Sequence, residues 1–250
     1  MDDRNSMIQR LVVFGQLTLA QLIWSGMHIA LLPALREGVT PLALSVMREL
    51  VAVPCLALPT LLFTPAMQNI SEKLTWRLLR LCAISGLCTA FARVAICVGV
   101  GMAGPVISAA VMPITPLVTF GLSLMLQVET VQPFAASGAL QLVGLFVSVV
   151  AAVLICVDTG GPVVLGATDS ASDSPGAGTN VSYGTIICIA NTVAAGLGFL
   201  VQRVVLQELD LFVTITLQTV FSLIWQALAG LLMLPLSDWV LDWNVAVAIS

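Results

Sequence analysis

Four ionisable residues stand inside long apolar stretches of the chain: His28, Arg48, Glu49 and Arg93. A charged side chain in hydrocarbon costs about +2.5 to +3.5 kcal/mol on insertion scales, so such groups turn toward a cavity or toward one another. His28 lies seven residues from Leu35, Arg48 six from Leu42, Arg93 seven from Val100, and the polar Asn191 eight from Tyr183. At about 1.5 Å per residue these positions form one layer, roughly 10 Å beneath one membrane face. Pro113 falls in the same layer. With Pro116 it removes backbone donors and frees carbonyls that a broken membrane helix can turn toward a solute. Arg48 and Glu49 are adjacent and diverge by about 100° around a helix, so they do not face each other. A Glu49–Arg93 bridge would leave Arg48 as an unmatched cation. A cavity beside it would then be positive and suit a carboxylate or another anionic group. The competing reading is a purely structural bridge, with Arg48 snorkelling outward.

Gln21, Trp24 and His28 are spaced +3 and +4 and so share one helix face. That polar–aromatic–polar stripe suits either the wall of an interior path or a hydrogen-bonded seam between helices. His28 is the one histidine of the chain. It could carry a proton near neutral pH, or simply be a satisfied packing residue. Catalytic chemistry lacks its residues: there is no Walker A, HExxH or GxSxG segment and no metal-ligand cluster. Neither an enzyme, a metal nor a cofactor is therefore expected. Gly99, Gly101 and Gly104 fit G-x-G-x-x-G, but that fingerprint works only between a strand and a helix of a βαβ unit. Cys55, Cys82, Cys88, Cys97, Cys156 and Cys188 all lie in apolar stretches with no CxxC spacing. They read as small buried hydrophobes.

The elements that must hold these residues are membrane helices. Hydrophobic residues make up 59% of the 250-residue chain and charged ones 9%, against about 25% charged in soluble domains. About 20 apolar residues cross a hydrocarbon core. The expected fold is all-α, a polytopic bundle of about seven spans at 11–35, 42–66, 79–100, 105–127, 133–157, 183–203 and 211–235. Arg36 to Pro41 closes the first turn, Gly99 to Pro105 forms a tight glycine turn, and Glu129 to Gln132 a short link. Residues 158–182, rich in Gly, Ser and Asp, read as a flexible linker. Placing the N-terminus in the cytoplasm puts Arg4, Arg10, Lys73, Arg77, Arg80 and Arg203 inside and only Arg36 outside, which is the favoured orientation. The linker then faces outward, with the Asn180-Val181-Ser182 sequon, whereas Asn69-Ile70-Ser71 would be cytoplasmic and silent.

A shift of about 170 residues lays Gln21 over Asn191 and Arg48 over Gln218, with Glu37 and Glu208 one position apart. Residues 1–157 therefore read as a first five-helix repeat, and 183–250 as the start of a second. An odd number of spans makes the second copy inverted, as in many secondary carriers. Another apolar run begins at Val245, so the second repeat reads as truncated after two spans.

Two blocks resemble the EamA-like, ten-helix branch of the drug/metabolite transporter superfamily: Ile23 to Leu50 and Gly104 to Thr130. The matching features are Trp24 followed by Ser25 and Gly26, the turn glycine Gly38, Arg48 on the second helix, Thr115-Pro116 on the fourth and Glu129 after it. The REGVTPLALSVMRE segment is nearest to plant-type members. Two departures are Val128, where a glycine often precedes that glutamate, and the missing last three helices. The resemblance implies a secondary transporter of small organic metabolites working by alternating access, with amino acids, organic acids (auxin-like ones included), nucleotide-sugar-like metabolites or drugs as cargo and export as one direction. The alternative is a non-transporting membrane scaffold or truncated regulatory partner. Expected partners are the lipid bilayer, a small organic solute and a second copy of the chain, with no nucleic acid.

Overall fold

The computed structural model describes residues 2–63, 74–126, 143–151, 153–154, 177–235 and 239. Among them every regular element is helical: α1 (Asp2–Arg36), α2 (Pro41–Phe63), α3 (Trp76–Val111), a 3-10 turn (Met112–Ile114), α4 (Thr115–Met125), α5 (Ala177–Val205) and α6 (Leu211–Met233). A further stretch, 143–151, is helical within the expected fifth span. Apart from residues 153–154, the rest of that span, residues 158–176 of the linker, Glu129, Lys73 and the run at Val245 lie outside the described residues. Among the described residues five segments are long and apolar enough to cross a membrane: Val12–Arg36, Pro41–Leu62, Trp76–Val111, Val181–Val205 and Leu211–Met233. The chain is built as a helical integral membrane protein.

Local chemistry sets the helix ends. At the end of α1, Gly38 has φ 87°. Val39 N–H reaches Ala34 O at 3.2 Å and Gly38 N–H reaches Leu35 O at 3.3 Å. This pair of bonds is a Schellman closure, which places its left-handed residue at a glycine. Pro41 opens α2, where a missing N–H costs nothing. Asp210 caps α6, its carboxylate accepting from Phe212 N–H at 2.9 Å.

The glycine turn expected over 99–105 is narrower than the sequence suggests. Helix α3 runs on through residue 103 and breaks at Gly104 alone, with φ 84° and ψ 164°. Only glycine enters that region at low cost, and Pro105 then restarts the helix with its φ already set. The two arms fold back on each other: Cys188 of α5 meets Gly99 on one arm and Ser108 on the other. The second arm, the 3-10 turn and α4 occupy the residues of the expected fourth span, 105–127, with the helix interrupted at Pro113. The linker is also shorter than expected, because α5 already begins at Ala177.

Helix directions follow from pairwise contacts. Helix α5 runs against the first arm of α3: Gly184 sits at Met102 and Ala103, and Gly198 at Cys88. A Cβ on Gly184 would lie 2.7 Å from Ala103 N, so the absence of a side chain lets these backbones close. Helix α6 runs with α3, from the Leu78–Cys82–Val213 cluster to Gly86 against Phe221. It opposes α2, from Thr60–Thr216 to Glu49–Gln226. Leu31 of α1 packs with Ile96, Cys97 and Val100 of α3. Hydroxyls and amides stitch the seams. Ser85 donates to Gly198 O at 3.1 Å, Gln218 Nε2 to Thr89 Oγ1 at 2.6 Å, and Thr60 and Thr216 share a bond of 2.9 Å. With lipid outside, small and polar residues occupy the interior and Phe14, Leu22, Leu58 and Leu232 face outward.

Candidate functional site

An open cavity of about 870 Å³ lies between α1, the interrupted fourth span and α5. Gln21, Trp24, Ser25 and His28 form its α1 wall. Met112, Thr115, Pro116, Thr119, Phe120 and Ser123 form the wall opposite, and Phe199, Leu200 and Arg203 close the third side. The stripe of Gln21, Trp24 and His28 therefore shares one surface. The first two are solvent-accessible, Trp24 at 52%, whereas His28 is 2% exposed. The 3-10 turn interrupts the wall beside Met112 because Pro113 and Pro116 cannot donate to the helical ladder. Thr119 turns its hydroxyl back onto Thr115 O at 2.8 Å.

Behind His28 lies a second polar group, between α1, α2, α3 and α6. Glu49 is completely buried, and Arg93 Nε stands 2.7 Å from its Oε1. The contact is close but off the hydrogen-bond axis, so neither carboxylate oxygen receives an aligned donor. Gln226 of α6 lies against the same carboxylate. Its Nε2 donates to Ser222 Oγ at 3.0 Å while its Oε1 has no partner. Ser45, one turn before Glu49 on the same face, is buried with its hydroxyl unpartnered.

Arg48 points elsewhere, as adjacency to Glu49 requires. Its Nη1 donates to Met27 Sδ at 3.2 Å, and its buried Nε has no partner. It acts electrostatically on His28, Glu49 and Arg93. Both His28 ring nitrogens are buried and unpartnered. His28 thus belongs to both features, as cavity lining and as neighbour of the charged layer.

The structure therefore brings His28, Arg48, Glu49 and Arg93 together. It seats Gln21, Trp24 and Pro116 on the cavity, whose lining does not include Asn191. Asn191 is buried on α5 with Nδ2 3.9 Å from Met112 Sδ, next to the turn that contains Pro113. Gln226, Ser45 and the cavity hydroxyls of Thr119 and Ser123 did not stand out in the sequence. A signal for Gln226 exists: Thr214, Gln218, Ser222, Gln226 and Gly230 repeat every four residues and all are buried. That row is one ridge of a helix, and it turns every uncharged polar group of that row inward. Arg203, expected at the inner end of its span, is in the last turn of α5 and on the cavity wall. Comparison of the chain with family models, with characterised proteins and with solved structures finds no match.

Proposed function

We propose that this protein is a secondary carrier that moves small organic solutes across a membrane by alternating access. The observation that carries the reading is the cavity of about 870 Å³, walled by three helices and reaching His28, the neighbour of the buried charged group. Its volume suits a small metabolite, since ligand pockets run to about 300–1,000 Å³. An interrupted helix at its wall is the kind of backbone that carriers use for solute coordination. The sense of the helices supports an inverted repeat: α1 and α2 run opposite to α5 and α6, the segments that a shift of about 170 residues aligns. On this reading the N-terminus is cytoplasmic. The cavity, whose lining extends from His28 toward Gln21, Ser123 and Arg203, then faces the cytoplasm, while Leu31, Ile96, Cys97 and Val100 close the outer side. The EamA-like resemblance of Ile23 to Leu50 and Gly104 to Thr130 points the same way. It makes amino acids, organic acids and drugs the first solutes to try.

The test is exchange of radiolabelled members of these three classes in proteoliposomes holding the purified chain. A Thr119→Trp variant fills the cavity and should abolish exchange while leaving thermal stability in detergent near that of the parent. Failure of the folded parent to exchange any solute would overturn the carrier reading and leave the non-transporting scaffold. Unchanged exchange by Thr119→Trp would remove the cavity from the path.

A further inference from the structure

We infer that the closed end of the cavity is a carboxylate subsite, in which Arg48 and His28 receive the anionic group of a solute whose apolar body lies against Trp24, Phe120 and Phe199. The inference rests on the carrier reading and names its substrate class. Three observations bear on it. First, the buried layer holds two guanidiniums and one carboxylate, and Glu49 is committed to Arg93. The other acids among the described residues stand at helix ends or in the first turn of α1. Arg48 is left with a thioether sulfur as its hydrogen-bond acceptor and a buried Nε without one. A cation in hydrocarbon is held there by a counter-charge or by strong acceptors, and sulfur is a weak one. Second, His28 is 2% exposed, lines the cavity and leaves both ring nitrogens unpartnered. Buried polar groups in folded proteins have partners, so an unfilled pair beside Arg48 is a place prepared for a ligand oxygen. Third, no acid lines the cavity among the described residues, and Arg203 on its wall is a cation. An anion meets no like charge along this surface. The aromatic rings fix the rest of the solute, because a small-molecule site binds an apolar body and orients it by a few polar groups.

The chemistry of the subsite is recognition only. A carboxylate accepts from Arg48 Nε–H, and from His28 in whichever ring position carries the proton. Hydrogen bonds to charged groups contribute enough for about 10-fold or greater discrimination over a neutral isostere.

The experiment measures equilibrium binding of radiolabelled phenylacetate and of its neutral isostere phenylacetamide to the full chain in phosphatidylcholine vesicles. The subsite predicts at least about 10-fold preference for the acid. In Arg48→Gln that preference should fall to about 1 while amide binding is unchanged, and Arg48→Lys should restore part of it. His28→Leu, which stays close to the volume, should weaken the acid alone. Equal affinities for acid and amide in the parent would overturn the subsite, as would equal loss of both in Arg48→Gln. So would absence of acid binding by parent protein with intact helical circular dichroism. Displacement of phenylacetate by added phosphatidylglycerol would assign the cations to a lipid headgroup and overturn the solute assignment. Selective acid binding with no exchange into proteoliposomes would sink the carrier reading while leaving the subsite; exchange of neutral solutes with no acid preference would do the reverse.

Discussion

Replacing Glu49 with glutamine should destabilise the bundle more than any other single loss of charge in it. The carboxylate is fully buried and faces Arg93 at 2.7 Å, with Arg48 also acting on it. Glu49→Gln keeps the shape and leaves two guanidiniums in the layer with no anion. Charges about 4 Å apart attract by about 4 kcal/mol at an effective permittivity near 20, and removing one partner of a buried pair costs about 3–5 kcal/mol. Arg93 is 32% exposed, so solvent screens part of that attraction and the lower end, about 3 kcal/mol, is the expected loss. Removing both charges together, in Glu49→Gln with Arg93→Met, should recover most of it, since the desolvation of the remaining cation is what the single variant exposes. The assay is unfolding of each protein by sodium dodecyl sulfate in mixed micelles, followed by tryptophan fluorescence and closed as a double-mutant cycle. A coupling energy under about 0.5 kcal/mol, or a double variant less stable than Glu49→Gln, would refute the claim that these groups neutralise each other in a low-dielectric layer.

Three further outcomes follow from particular contacts. Gly104→Ala meets no atom within 4 Å, yet its φ of 84° and ψ of 164° exclude a Cβ, so about 1–3 kcal/mol of stability should be lost through backbone strain, read by the same titration. Gly184→Ala drives a methyl to 2.7 Å from Ala103 N and should cost about 1–3 kcal/mol, whereas Gly15→Ala, in open space, should change stability by under about 0.5 kcal/mol; equal effects would contradict the close approach of α3 and α5. The Gln218–Thr89 bond of 2.6 Å should show a coupling of about 0.6–1.7 kcal/mol in a Gln218→Leu, Thr89→Val cycle, and no measurable coupling would place the two side chains apart.

Five of the seven expected spans have a long apolar helix among the described residues, and these were readable because bilayer thickness acts directly on composition: a run of about 20 apolar residues has one common use. The expected first span, 11–35, ends one residue before its helix does, at Arg36, while the helix itself begins earlier, at Asp2. Breaks were legible where a residue type has one backbone role. Gly38 and the Gly104-Pro105 pair marked their turns, though nothing local told that Gly99 and Gly101 would stay helical. Those two glycines lie on the arm of α3 that carries Arg93, where packing of Gly99 against α5 and of Gly101 beside Leu35 of α1 outweighs their weak helix propensity.

The site was legible only in part, and the division follows charge. An ionised group in hydrocarbon is so costly that its depth alone announces an interior position, which is why His28, Arg48, Glu49 and Arg93 could be grouped before their helices were packed. Uncharged polar residues give a weaker signal, since a Thr or Ser can return its hydroxyl to its own helix. Thr119 does so to Thr115 O, and Thr219 to Ile215 O. Gln226 therefore passed as one polar residue in an apolar helix, and only the fourfold repeat from Thr214 to Gly230 reveals it as part of an inward ridge. The cavity itself needed a fact that no single helix contains. The Gln21–Trp24–His28 face could look at lipid, at a neighbour or at a void, and the hairpin at Gly104 decides among these. By folding the fourth span back along α3, it leaves α5 wedged against both arms, and Met112, Thr115 and Thr119 come to stand across an open space from α1. One glycine backbone angle is thus the link between the legible spans and the site they enclose.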